Sequence, residues 1–107
     1  MTTRRDPGAE LIRALGVHFV HFAGRLIVEQ RRSRNWASVT LSGARHCVSL
    51  LLEGRDAGET AAAFLSGLEA REFALDGHLL ADIAGEMNDV RDDRARLILE
   101  ALTIAMD

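Results

Sequence analysis

From Ala9 to Arg31 the apolar positions recur with a helical period. Advancing about 100° per residue places Leu11, Ile12, Leu15, Phe19, Phe22, Ala23, Leu26 and Ile27 on one broad arc, with Glu10, Arg13, His18, His21, Arg25, Glu29 and Arg32 opposite. Strict alternation fails here, because Phe19-Val20 and Leu26-Ile27-Val28 are adjacent apolar pairs and triplets. The pattern predicts a long first helix of about 34 Å. Gly16 and Gly24 weaken it by up to about 1 kcal/mol each relative to alanine, so it depends on packing against the rest of the fold.

After Arg34 the period shortens to two. Ala37, Val39 and Leu41 alternate with Trp36, Ser38 and Thr40, and Ser42-Gly43-Ala44 reads as a turn. Val48, Leu50 and Leu52 line one side of a second strand, with Cys47, Ser49, Leu51 and Glu53 on the other. Gly54-Arg55-Asp56 breaks that strand. Asp56 followed by Glu59 has capping-box spacing and opens a short helix over Ala57–Leu68 that buries Ala61, Phe64, Leu65 and Leu68. A short strand (Glu72–Leu75), a longer one (His78–Met87), a polar turn (Asn88–Arg94) and a last strand (Ala95–Met106) complete the chain. The expected architecture is α+β, an antiparallel sheet of about five strands with one long and one short helix, in the order α-β-β-α-β-β-β. Residues 1–7 read as a flexible tail and 8–107 as a single domain.

Composition narrows the class more than it defines a function. A hydrophobic share of 48% beside 27% charged residues is that of a globular domain. Aromatics are only 5%, with no Tyr, which argues against a surface built for stacking bases or sugars. The net charge of −3 is too small to imply a dedicated polyanion partner. It is unevenly spread, however: residues 1–34 carry seven Arg against three acids, and residues 35–107 six Arg against thirteen acids. All thirteen basic residues are Arg, as GC-rich coding favours, which points to a bacterial source. The lone Cys47 cannot form an internal disulfide, and charged residues and histidines interrupt every apolar run before membrane-spanning length. The expectation is a cytoplasmic protein with no membrane association and no cofactor.

Candidate chemistry is sparse. His18 and His21, three residues apart on the polar arc, could share a metal, but no third ligand stands close on that face. Cys47 lies beside His46 in sequence, yet strand geometry sends the two to opposite faces. Ser38, Ser42 and Ser49 with Asp82 and a histidine recite the residue types of a catalytic triad without any nucleophile elbow. Asp89, Asp92 and Asp93 lack the spacing of a calcium loop and are interleaved with Arg91 and Arg94. Arg31, Arg32, Arg34 and Trp36 form a basic-aromatic cluster that could grip phosphates, and equally suit a helix C-terminus.

The sheet is the most informative feature. Two helices about 10 Å across cover only one face of a sheet about 20 Å wide. The reverse face then carries Trp36, Leu51 and Leu80 among polar residues, and the last strand is apolar on both sides, with Ile98, Leu102, Ile104 and Met106 alternating with Leu97, Leu99 and Ala101. A strand apolar on both sides calls for cover on both. Unless the first helix folds over that opposite face, the sequence therefore implies a non-catalytic, self-associating protein-interaction domain, a homodimer through this sheet face or through exchanged first helices that could also take a further protein partner, with Trp36, Leu51, Leu80, Ile98, Leu102, Ile104 and Met106 at the interface. Small-ligand or metal binding through His18 and His21 or a sheet-helix cavity is the alternative, and weak RNA binding through Arg31, Arg32, Arg34 and Trp36 a third.

Overall fold

The structure, a computed structural model, describes residues 6–106. Two helices, α1 (Pro7–Val17) and α2 (Ala57–Ser66), pack on a four-stranded antiparallel sheet of β1 (Arg25–Ala37), β2 (Ser42–Glu53), β3 (His78–Arg91) and β4 (Arg94–Ala105). The order across the sheet is β1-β2-β4-β3, so the two most apolar strands are central. Residues 1–5 of the expected tail lie outside the described residues. The helix begins directly after them, with Pro7 in its first turn and the Asp6 carboxylate accepting the Gly8 N–H at 2.9 Å.

Strand length sets the shape. Strands of 12 to 14 residues at about 3.3 Å per residue span roughly 40–46 Å, which matches the 47 Å long axis of the molecule. Helices of 11 and 10 residues reach only about 16 Å each. Both lie on one face of the sheet. The core between them joins Leu11, Leu15 and Phe19 from α1 and the turn after it, Ala57, Ala61, Phe64 and Leu68 from α2 and its 3-10 extension, and Val48, Leu50, Leu52, Ala95, Leu97, Leu99 and Ala101 from the central strands. Gly85 on β3 is small for a packing reason: a Cβ there would run into Leu99 and Leu65, so glycine lets α2 settle against that strand.

The first helix is shorter than the pattern predicts. It ends at Val17, and residues 25–37 form a strand instead. Two things hid that strand. Its second half, Gln30 to Asn35, has no apolar residue to mark a face. A β-bulge between Val28 and Gln30 also shifts the register, so the helix-facing positions pass from Leu26 and Val28 to Arg31 and Ser33 and break the alternation. Of the expected strand over 36–41, Trp36 and Ala37 end β1 and residues 38–41 form the turn, closed by Ser38 N–H to the Leu41 carbonyl at 2.7 Å, while Ser42-Gly43-Ala44, expected as the turn, opens β2. Val39 and Leu41 therefore stand exposed. Residues 72–75 form no strand, leaving four rather than five, in the order α-β-β-α-β-β. Glu10 explains how this segment is held instead: its buried carboxylate accepts the Asp76 N–H at 2.9 Å, while Arg13 donates to the Ala74 carbonyl. Asp56 precedes α2 in a left-handed conformation and makes no side-chain cap, so the capping-box reading is also corrected.

The two sides of β4 test which face is core. Leu99→Ala, on the covered side, should lower unfolding free energy by about 2–5 kcal/mol. Leu102→Ala, three residues along on the other side and half-buried, should cost about 1 kcal/mol or less in dilute protein. Urea denaturation of both variants at sub-micromolar concentration checks the contrast.

Candidate functional site

The uncovered sheet face can be read row by row from the strand register. One row runs Trp36, Gly43, Ile104, Leu79; the next Arg34, Arg45, Leu102, Asp82; then Arg32, Cys47, Glu100, Ala84; then Gln30, Ser49, Ile98, Glu86. Trp36, Ile98, Leu102 and Ile104 are half-buried and Leu79 is 52% exposed. Trp36 lies against Gly43, where a Cβ would run into the Thr103 carbonyl of β4 and also meet the indole, so glycine lets both approach. A groove of about 430 Å³ crosses the middle rows, lined by Arg32, Arg34, Arg45, Cys47, Asp82 and Glu100 among others.

Across these four rows charge is divided by strand. Arg32, Arg34 and Arg45 occupy β1 and β2, and Glu100, Asp82 and Glu86 occupy β4 and β3. All six are exposed, and none takes part in an ion pair among the described residues. Arg34 and Arg45 are direct cross-strand neighbours, a like-charge pairing that works against the isolated sheet.

The far end of the same face is closed. Arg96 on β4 reaches across β2 to grip Glu29 on β1 with two hydrogen bonds, 2.6 and 3.1 Å, and reaches Asp89 with its third nitrogen at 3.0 Å. The hydrogen bond from Arg96 holds the Glu29 carboxyl below the ordinary range, and the two carboxylates hold the guanidinium above its own. Leu51, the cross-strand neighbour of Arg96, is only 6% exposed.

The expected interface residues therefore divide. Trp36, Ile98, Leu102 and Ile104 lie together on the open face, and Met106 is exposed just beyond β4. Leu51 shares that face but is buried at its closed end. Leu80 is corrected to the helix side: a bulge between Leu80 and Asp82 turns it inward against the core and leaves Leu79 outside, opposite Ile104. No pattern in the chain announces such a bulge.

The histidines are used structurally. His18 caps the end of α1, its Nε2–H donating to the Glu72 carbonyl at 3.0 Å and its ring 4.7 Å from that of Phe73, while His21 is exposed in the following turn. No group of three metal-ligating side chains forms among the described residues. Asp89 pairs with Arg91, Arg94 and Arg96 at the β3–β4 turn. Of the basic-aromatic cluster, Arg32, Arg34 and Trp36 share the open face, whereas Arg31 points to the helix side and pairs with Asp6.

His46 forms a connection that only register could reveal. It is 3% exposed on the helix side of β2. Thr103 Oγ1–H donates to the Ala44 carbonyl and accepts the His46 Nε2–H at 2.9 Å, which leaves Nδ1 to accept the Ser33 hydroxyl at 2.7 Å. A hydroxyl held by an imidazole is the start of a nucleophile, but the nearby donors are already engaged: Gly8 N–H and Arg31 both go to Asp6. Among the described residues nothing there converges to stabilise an oxyanion. The chain of bonds instead secures β1, β2 and β4 beneath α1.

Comparison of the chain with protein-family models, with curated proteins and with solved structures finds no match.

Burial holds the His46 imidazole neutral, pushing its pKa below the ordinary value, with Arg31 and His78 acting in the same direction and Asp6 against. The unfolded chain then binds a proton that the folded one refuses. Stability is full above about pH 6.5 and falls as pH drops through that value toward the depressed folded pKa. His46→Gln should flatten this slope in urea titrations between about pH 7.5 and 5.

Proposed function

We propose that this chain is a non-catalytic, self-associating interaction domain that docks through the open face of its sheet. The observation that carries the reading is the surface itself: half-buried Trp36, Ile98, Leu102 and Ile104 with exposed Leu79, set among six charges that have no partner within the described chain. Trp36, Leu79, Leu102 and Ile104 adjoin at one end of the face and Ile98 lies beyond Glu100; apolar surface left uncovered in this way marks interaction sites. The setting proposed with it is the cytoplasm, where a single thiol stays reduced.

Two other readings have less behind them. Binding of a metal by His18 and His21 loses support because the His18 ring is committed to Glu72 and packed on Phe73. A small ligand has the central groove available, but that groove is an open channel rather than an enclosed cavity between sheet and helices. RNA binding gains Arg45 beside Arg32, Arg34 and Trp36, yet Asp82 and Glu100 line the same groove and repel phosphates.

Sedimentation velocity from about 1 to about 100 µM, where mass action must shift any equilibrium, is the test. The sedimentation coefficient should rise with concentration toward that of a dimer. A strict monomer throughout removes the reading.

A further inference from the structure

From the division of charge on the open face, we infer that its occupant is a second copy of this chain, packed face to face about a two-fold axis parallel to the strands. The inference rests on the self-association proposed above and adds its symmetry and register. Two sheets can face each other about an axis along the strands or across them. An axis across the strands lays β1 over the partner's β1 and brings guanidinium onto guanidinium. An axis along the strands lays β1 over the partner's β3 and β2 over the partner's β4, so within the four rows the arginines of β1 and β2 meet the partner's acids on β3 and β4. Only the second arrangement is self-complementary.

Row by row, that axis seats Arg34 opposite the partner's Asp82, Arg32 opposite the partner's Ala84 between two acids, Gln30 opposite the partner's Glu86, and Trp36 opposite the partner's Leu79. Sheets pack about 10 Å apart, which an arginine and an aspartate together span. The Arg34–Arg45 juxtaposition, unfavourable in one copy, then has the partner's Asp82 and the partner's Glu100 within reach. Four strands by four rows give roughly 19 by 25 Å, on the order of 1,000 Å² buried in total over two copies, which meets the lower bound of about 1,000 Å² for a specific interface.

The sheet edges fit a partner less well. β1 is bulged at Glu29 and lined with arginines, and β3 is bulged after Leu80 and again before Arg91, features that oppose edge-to-edge pairing.

The experiment is a charge exchange read by sedimentation equilibrium. Arg34→Asp and Asp82→Arg should each weaken self-association by about tenfold or more, since each turns two attractive pairs into two repulsive ones. Mixed in equal amounts, the two variants should form a heterodimer of near wild-type affinity. The carboxylate introduced at position 34 of one then meets the guanidinium introduced at position 82 of the other, and the second contact keeps its native arginine and aspartate. Circular dichroism confirms that each exposed-site variant is folded, and the milder pair Arg34→Gln and Asp82→Asn, expected to weaken the dimer several-fold without repulsion, replaces any that is not. A wild-type dimer indifferent to these changes, or variants that weaken but do not rescue each other, overturns this arrangement while leaving self-association standing. A monomeric wild type overturns both.

Discussion

The structure depends on a mismatch between a sheet of long strands and two short helices. α1 and α2 together have enough apolar surface to cover one face, and the core forms there from Leu11, Leu15 and Phe64 against Leu50, Leu52, Leu97 and Leu99. Nothing in the described chain is left to cover the other. β4 nevertheless carries Ile98, Leu102 and Ile104 on that side. Hydrophobic burial is roughly proportional to the apolar area removed from water, so a second layer is favoured from whatever source can supply one.

The two faces handle polar groups differently, and the difference separates structure from docking. On the helix side the polar groups are closed among themselves: His46 between Ser33 and Thr103, and Glu10 on the Asp76 amide. At one end of the open face Arg96 does the same with Glu29 and Asp89. Along the middle of that face the charges stay open and sorted by sign. Groups that stabilise a fold tend to be satisfied within it, whereas Arg34 and Arg45 stand side by side and form no ion pair among the described residues.

Much of the fold was legible in the chain. The central strands β2 and β4 were visible because Val48, Leu50, Leu52 and the two-sided run after Arg94 alternate clearly, and α2 because its apolar positions repeat helically. β1 was not, since its alternation is broken by a bulge and its polar half has no inward apolar residue to betray it. The open face could be anticipated from the excess of apolar positions on the last strand. Its membership could not: Leu80 and Leu79 exchange sides because of a bulge, and Leu51 disappears beneath an arginine that bonds to a carboxylate 67 residues away. The sorting of charge was equally hidden, because Arg45 and Asp82 become neighbours of the same groove only through the strand order.

Cys47 offers the most direct measurement, because it is the single cysteine and lies in the central row of the open face. Its reaction rate with a soluble maleimide, followed in wild-type protein as concentration rises, reports whether that face is covered. The account predicts that the rate falls as the protein associates. A rate that stays constant while the protein associates would place the interface elsewhere and contradict it.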